Sequence, residues 1–393
     1  MTEWMKMTDE IGPEKIVHLY DPATGMKGVV VIDTAFFGRA AGGTRLLPNI
    51  TTEEIFWLAR AMTYKFNTLE LQIGGAKAGI WADPAINGGG REATLRAFGR
   101  VAKPLLATEL ALGVDMGTTS QDIKLIYQGA ELPPPGTGLT QQEKDGTPLE
   151  DHATGYGVVV AAKASCEFAG GKLSGATVAI EGFGKVGGGV ASYMAAEGAR
   201  VVAISTIKGT TYNENGLDVK RLLEKRRKTG DRAIEEYQDA QHLDRAALYS
   251  LPVDILIPGA RPHVIDKNNV GSIQAKIISS IANVPITEEA EETLFQRGII
   301  SVPDFISNAG GVVLGTTDRI GGTAEQVFLG IRTLIRPITI EILDDARRKG
   351  ANPHSLAVNR ARERIIRARK GENPDQIAGN KWQFLGNINR DNA

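Results

Sequence analysis

Six residues, Gly182-Phe183-Gly184-Lys185-Val186-Gly187, follow the apolar stretch Ala176-Thr177-Val178-Ala179-Ile180 and constrain the fold more than any other part of the chain. Gly182 permits a tight bend after a strand, Gly184 lets backbone approach a pyrophosphate, and Gly187 lets the next helix pack closely on that strand. The phosphates then meet a helix N-terminus, whose free N–H groups and dipole favour negative charge. A lone glycine pattern is weak. Here Val201-Val202-Ala203-Ile204-Ser205 supplies the following strand, and 253–257, 275–279 and 299–302 read as further buried strands. Strands alternating with helices predict a parallel, doubly wound sheet.

At 393 residues the chain exceeds one compact core and calls for at least two domains. Residues 16–35 read as two strands joined at Asp21-Pro22-Ala23-Thr24-Gly25. Thr51-Thr52-Glu53-Glu54 opens a helix, with a threonine cap and acids in the first turn, that carries Lys65 near its end. A glycine turn at 74–79 follows, then a strand from Gly79 and an amphipathic helix over 91–107. Prolines and polar residues from 131 to 150 mark a boundary, and the next helix is expected from about Thr154 to Ala169. The expected fold is α/β: an N-terminal α/β domain at 1–145, a Rossmann-type NAD(P) domain at 151–330 and a helical tail at 331–393.

A net charge of −1 gives no general attraction for nucleic acid or an anionic membrane. No apolar run is long enough to span a bilayer, and Met1-Thr2-Glu3-Trp4-Met5-Lys6 lacks the apolar core of a signal peptide. One cysteine, Cys166, excludes an internal disulfide and a cysteine-built metal site. The histidines show no metal-ligand spacing, so no metal is expected and the cytoplasm is the default compartment.

Two lysines and an aspartate suggest the chemistry. Lys65 ends Ala61-Met62-Thr63-Tyr64-Lys65, Lys77 stands in Gly74-Gly75-Ala76-Lys77-Ala78-Gly79, and Asp115 in Gly113-Val114-Asp115-Met116-Gly117. Oxidising an amino acid removes hydride from its α-carbon and leaves an imine that water attacks. That requires a cation for the α-carboxylate, a base and a group that moves the amine's protons. A free lysine, with a pKa of about 10.4, is too basic for the second task; burial among small apolar residues beside another ammonium lowers it.

With these residues in hand, the chain resembles the glutamate/leucine/phenylalanine/valine dehydrogenases over nearly its whole length. Met62-Thr63-Tyr64-Lys65 with Gly74-Gly75-Ala76-Lys77 is similar to that family's paired-lysine segment, including the separation 77 − 65 = 12. The resemblance implies that Lys65 binds the α-carboxylate, Lys77 activates water and Asp115 moves protons at the amine, with 1–145 as the substrate and oligomerisation domain. It also implies that Thr154, in Ala153-Thr154-Gly155, faces the nicotinamide, with Asn283 and Asn308 contributing to the cofactor site. Asn308, in Ser307-Asn308-Ala309-Gly310-Gly311-Val312, would approach substrate as well. Family members close two domains over the substrate, end in helices returning to the first domain, and assemble as homo-oligomers of several sizes. The implied products are a 2-oxo acid and ammonia. A non-catalytic nucleotide-binding protein on the same fold is the rival from another class.

The amino acid is left open by mixed signals. Glutamate enzymes place a lysine where Gly38-Arg39-Ala40-Ala41-Gly42-Gly43-Thr44-Arg45 has Ala41, and a serine where this chain has Gly315. Substrate contacts are therefore expected at Ala41, Gly42, Gly43, Lys65, Asn308 and Gly315, around a branched or otherwise apolar side chain. Lys208-Gly209-Thr210-Thr211 and Ala282-Asn283-Val284-Pro285 look more like glutamate dehydrogenases, and Arg39 or Arg45 offers an alternative cation, so glutamate stands as the alternative. For the cofactor, the second strand ends Ser205-Thr206-Ile207-Lys208 with no acid for a ribose, which leans toward NADP or dual use over NAD alone.

Overall fold

The computed structural model of the chain describes residues 3–144, 147–372 and 382. It divides into two compact units: one takes the residues up to Thr137 together with those from Val358, the other Gly138–Ala357.

The first unit contains β1 (Lys15–Asp21), β2 (Met26–Ile32), β3 (Ala40–Leu46), α1 (Thr52–Thr68), β4 (Gly74–Ile80), α2 (Gly89–Leu106), β5 (Leu110–Val114) and α3 (Ser120–Gly129). Its five strands lie in the order β1-β2-β4-β3-β5, with β3 parallel to both neighbours and the β1-β2-β4 side antiparallel. Alternation along β2 sends Val30 and Ile32 to a core with Phe98 and Leu112, and Val29 and Val31 to one with Ile55, Phe56 and Ala59 of α1. Each such side chain, taken fully from water, stabilises the unit by about 1.5–3 kcal/mol. Thr51 caps α1 as expected, its side chain accepting from Glu54 N–H.

The glycine segment at 74–79 departs from expectation. It is the strand β4, buried throughout. A Cβ on Gly75 would stand 2.1 Å from Thr63 N and 2.4 Å from Ala59 O, so glycine here lets α1 lie directly on the strand. The sequence signal for a turn was a signal for close approach.

The second unit begins with the short pair β6 (Glu143–Lys144) and β7 (Thr147–Pro148), then α4 (Leu149–Phe168), β8 (Thr177–Glu181), α5 (Lys185–Ala196), β9 (Arg200–Thr206) and β10 (Gly209–Tyr212). There follow α6 (Val219–Thr229), β11 (Gln241–Leu243), β12 (Ile255–Ile257), β13 (Ile277–Ser279), α7 (Glu288–Gln296) and β14 (Ile300–Val302). The unit continues with α8 (Asp304–Ser307), α9 (Gly310–Arg319), α10 (Ala324–Lys349) and the start of α11 (Pro353–Arg369). The sheet order is β11-β10-β9-β8-β12-β13-β14. Strands β9, β8, β12, β13 and β14 are parallel, as the fingerprint requires.

The edge is not parallel: β10 runs antiparallel to β9, and β11 to β10. Only Ile207 and Lys208 join β9 to β10, and a parallel crossover needs a dozen residues or more, so the strand must turn back. Helix α4 starts at Leu149, ahead of the expected Thr154, which places Thr154 inside its second turn.

The tail also divides differently from expectation. Val327, Ile331, Leu334, Ile338 and Ile342 form a buried face along α10, which packs against α4. Residues 331–357 therefore belong with the second unit, and the change comes inside α11, between Ala357 and Val358. Residues 373–381 and 383–393 of the expected tail lie outside the described residues. Among the described residues no helix is long and apolar enough to cross a membrane.

Candidate active site and nucleotide site

In the first unit, strand alternation assembles a charged cluster. Ala76, Ala78 and Ile80 of β4 join the core on the α2 side, so Lys77 between them faces α1. On β3, Ala40 and Leu46 join that same core, which puts Ala41, Gly43 and Arg45 on the face of Lys77. Asp115 follows β5 directly.

Its Oδ2 receives two cations, Arg45 Nε at 3.0 Å and Lys77 Nζ at 3.1 Å. Arg45 also donates to Glu54 in the first turn of α1. A Cβ on Gly43 would stand 2.9 Å from Asp115 Cβ and 3.2 Å from Lys77 Nζ, so glycine opens the space in which the two groups meet. Thr118 fixes the aspartate from behind: its Oγ1 accepts from Asp115 N–H and donates to Thr44 O. Among the described residues nothing bonds Asp115 Oδ1. Burial pushes the Asp115 carboxyl up, but Lys77 and Arg45 outweigh it and hold the group down to about 2.

Lys65 lies buried in the last turn of α1, the helix that Gly75 seats against β4. Gly42 is equally constrained, since a Cβ there would overlap Ala76 O at 1.7 Å. Ala41 is buried and small. Sequence reading offered Arg45 as an alternative cation for a substrate side chain; instead it is bound to Asp115 and Glu54. The signal that finds its role is the alternation of residues 41, 43 and 45 on one strand face.

In the second unit the strand order reverses beside β8, where the fingerprint turn meets the Pro258-Gly259-Ala260 loop after β12. Gly182 has φ +87°, in the region that favours glycine. A Cβ on Gly187 would stand 2.0 Å from Gly182 O, so helix and turn touch as expected. Gly184 precedes α5 without a side-chain cap, leaving first-turn N–H groups for a ligand, and a Cβ there would meet nothing within 4 Å. Lys185 is exposed and Val186 half-buried. Phe183 is packed in the core at 1 % exposure, so that residue offers a ligand backbone alone.

Glu181, which sequence reading passed over, ends β8. Its carboxylate accepts from Gly259 N–H and Ala260 N–H and pairs with Arg245 at 2.8 Å, which fixes the facing loop. At the end of β9, Ser205 is fully buried with its Oγ unpaired, Thr206 Oγ1 accepts from Lys208 N–H, and the Lys208 side chain is exposed.

Glycines again bring the remaining residues together. A Cβ on Gly310 would stand 1.9 Å from Ala153 O, and one on Gly311 2.9 Å from Thr154 Oγ1, so α9 and the start of α4 are in contact. Gly155 faces Val186 O in the same way, at 3.3 Å. Thr154, the fingerprint helix and the Asn308 segment thus converge through α4. Asn308 Nδ2 donates to Ile281 O, Ala282 O and Asn283 Oδ1 at 3.1–3.2 Å, while its buried Oδ1 has no partner. Gly315 on α9 faces open space. The uncapped helix start and the orphaned amide oxygen fit a bound dinucleotide.

Comparison with known proteins gives two matches that together cover most of the chain. The profile of Glutamate/Leucine/Phenylalanine/Valine dehydrogenase matches residues 146–372, and that of the Glu/Leu/Phe/Val dehydrogenase dimerisation domain matches residues 13–131. Among curated relatives, the NADP(+)-dependent glutamate dehydrogenase of Pyrobaculum calidifontis is 34% identical, over 70% of this chain and 68% of its own. The hetero-hexameric glutamate dehydrogenase of Thermus thermophilus, solved with leucine bound, superposes with a TM-score of 0.80 at 27% identity, covering 92% of this chain and 90% of the other. The L-tryptophan dehydrogenase of Nostoc punctiforme gives a TM-score of 0.68 at 26% identity, covering 93% and 99%.

Proposed function

The chain belongs to the glutamate/leucine/phenylalanine/valine dehydrogenase family, and from that premise we propose that its substrate is an L-amino acid with an apolar side chain. The protein is an amino-acid dehydrogenase, an oxidoreductase that deaminates its CH–NH2 donor with a nicotinamide dinucleotide. The observation that carries the substrate reading is the engagement of Arg45, on the strand face of Ala41, by Asp115 and Glu54. Ala41 adds no cation, Gly315 adds no hydroxyl, and Arg45 is already neutralised by Asp115 and Glu54. A substrate side-chain carboxylate buried beside Ala41 without a partner costs several kcal/mol. The second reading is glutamate, and the descriptions of the curated relatives favour it over the first.

In either reading Lys65 holds the α-carboxylate and Lys77 takes a proton from the water that attacks the imine. Asp115, kept anionic by two cations on Oδ2, presents Oδ1 to the substrate nitrogen and stabilises it as a cation. The first-turn N–H groups of α5, with Thr154 and Asn308, would hold a nicotinamide dinucleotide, which when bound would supply the hydride acceptor. Lys208 and the absence of an acid at the end of β9 support use of NADP, in line with the description of the Pyrobaculum relative. Self-association into a homo-oligomer is part of the same proposal, supported by the dimerisation-domain match.

The test is initial rates of nicotinamide reduction by the full chain with leucine, valine, phenylalanine, tryptophan and glutamate, each with NAD and with NADP. The apolar reading predicts kcat/KM at least ~100-fold higher for one of the apolar substrates than for glutamate. Preference for glutamate would remove it and leave the second reading standing.

A further inference from the structure

Asn308 is useful to a ligand only if its amide is held one way round, and the structure shows what holds it. Nδ2 donates to Ile281 O, Ala282 O and Asn283 Oδ1, which leaves the buried Oδ1 as the oxygen that a ligand meets. All three acceptors belong to one turn, 281–283, so the shape of that turn decides where Oδ1 points.

The turn ends in a costly conformation. Val284 has φ +49°, which a β-branched side chain rarely adopts and which persists only when neighbours enforce it. Two contacts do so: Val284 O accepts from His263 N–H at 2.9 Å, and Val284 N–H donates to Asp304 Oδ2 at 2.9 Å. Asp304 is buried, and it begins the helical turn that delivers Asn308, whose own N–H donates to Asp304 O at 2.9 Å. One residue therefore grips both parts of the arrangement, the amide by its backbone and the acceptor turn by its side chain. Behind it Phe305 packs edge-on against the His354 ring.

We infer that Asp304 is a positioning residue for the reaction: its carboxylate, by holding the Val284 turn, aims the Asn308 amide oxygen into the site. The inference rests on the reading of Asn308 as a residue of the active site. Asp304 touches neither substrate nor cofactor.

Four proteins are compared: the parent, Asp304→Ala, Asp304→Asn and Asn308→Ala. Asp304→Ala is expected to lower kcat/KM by ~10- to 100-fold, the scale of a small misplacement of a reacting group. It is also expected to speed amide hydrogen exchange in the peptide spanning 281–287. Asp304→Asn, whose amide oxygen still accepts from Val284 N–H, is expected to restore most of both. Asn308→Ala is expected to lose comparable activity. If Asp304→Ala exchanges faster yet stays within about twofold of the parent kcat/KM, while Asn308→Ala is slow, the inference falls and the role of Asn308 stands. Should Asn308→Ala keep parental activity, both fall together. Should neither Asp304 variant fold, Asp304→Glu and Ser replacements read the same two quantities, and unchanged exchange at 281–287 in whichever folds would overturn the inference.

Discussion

Asp115 carries two cations on one oxygen, and this sets what the residue can do. A carboxyl held at about 2 is an anion throughout the physiological range, so in the proposed mechanism it serves the substrate nitrogen by charge instead of moving protons there, as the sequence suggests, and Lys77 is left to move them. Arg45→Gln tests that division. Removing one of two compensating cations from a half-buried carboxylate raises its pKa, because desolvation favours the protonated form. The parent is therefore expected to show no acid-side loss of kcat/KM from Asp115 above about pH 4. The variant is expected to acquire one at higher pH, where protonation now removes the anion. A profile identical to the parent's, in a variant with unchanged Tm, would contradict the role given to Arg45. At this scale the sequence was partly readable. Lys65, Lys77 and Asp115 stand out by motif, whereas alternation gives Arg45 only its strand face, and it and Glu181 act through partners 70 and 78–79 residues away that no local pattern names.

At the scale of elements, glycine does more here than make turns. Gly75 seats α1 on β4, Gly43 admits Asp115 beside Lys77, and Gly310 seats α9 on α4. Reading glycine as a turn former was right at Gly182, with φ +87°, and wrong at Gly74–Gly79, which is a buried strand. Propensity alone does not separate the two uses, because the partner that requires the missing Cβ is remote in sequence. Gly75→Ala is expected to cost ~3 kcal/mol or more, since its Cβ would overlap backbone atoms of α1, which have no rotamer by which to yield. In a unit of this size that lowers Tm on the order of 5–10 °C, measurable by calorimetry. A variant as stable as the parent would show that α1 rides on β4 with more slack than the structure gives it. The antiparallel edge formed by β10 and β11 was invisible for a different reason: β11 is three residues long and its alternation is too short to register.

For the molecule as a whole, the nucleotide-binding sheet was legible because one fingerprint fixes strand, turn, helix and strand at once. The course of the tail was not, since an amphipathic pattern says that one face of a helix is buried without naming what it packs against. Residues 331–357 stay with the second unit, and α11 carries the chain into the first. The candidate chemistry is likewise divided, with Lys65, Lys77 and Asp115 in one unit and the fingerprint, Thr154 and Asn308 in the other. The proposed reaction requires that the first-unit cluster performs catalysis. The most direct measurement is the turnover of Lys77→Ala on whichever amino acid the parent oxidises best, with Tm and NADPH affinity recorded alongside. The expected result is kcat lower by ~100-fold or more with the fold and cofactor binding retained. Turnover equal to the parent's would remove Lys77 from the mechanism.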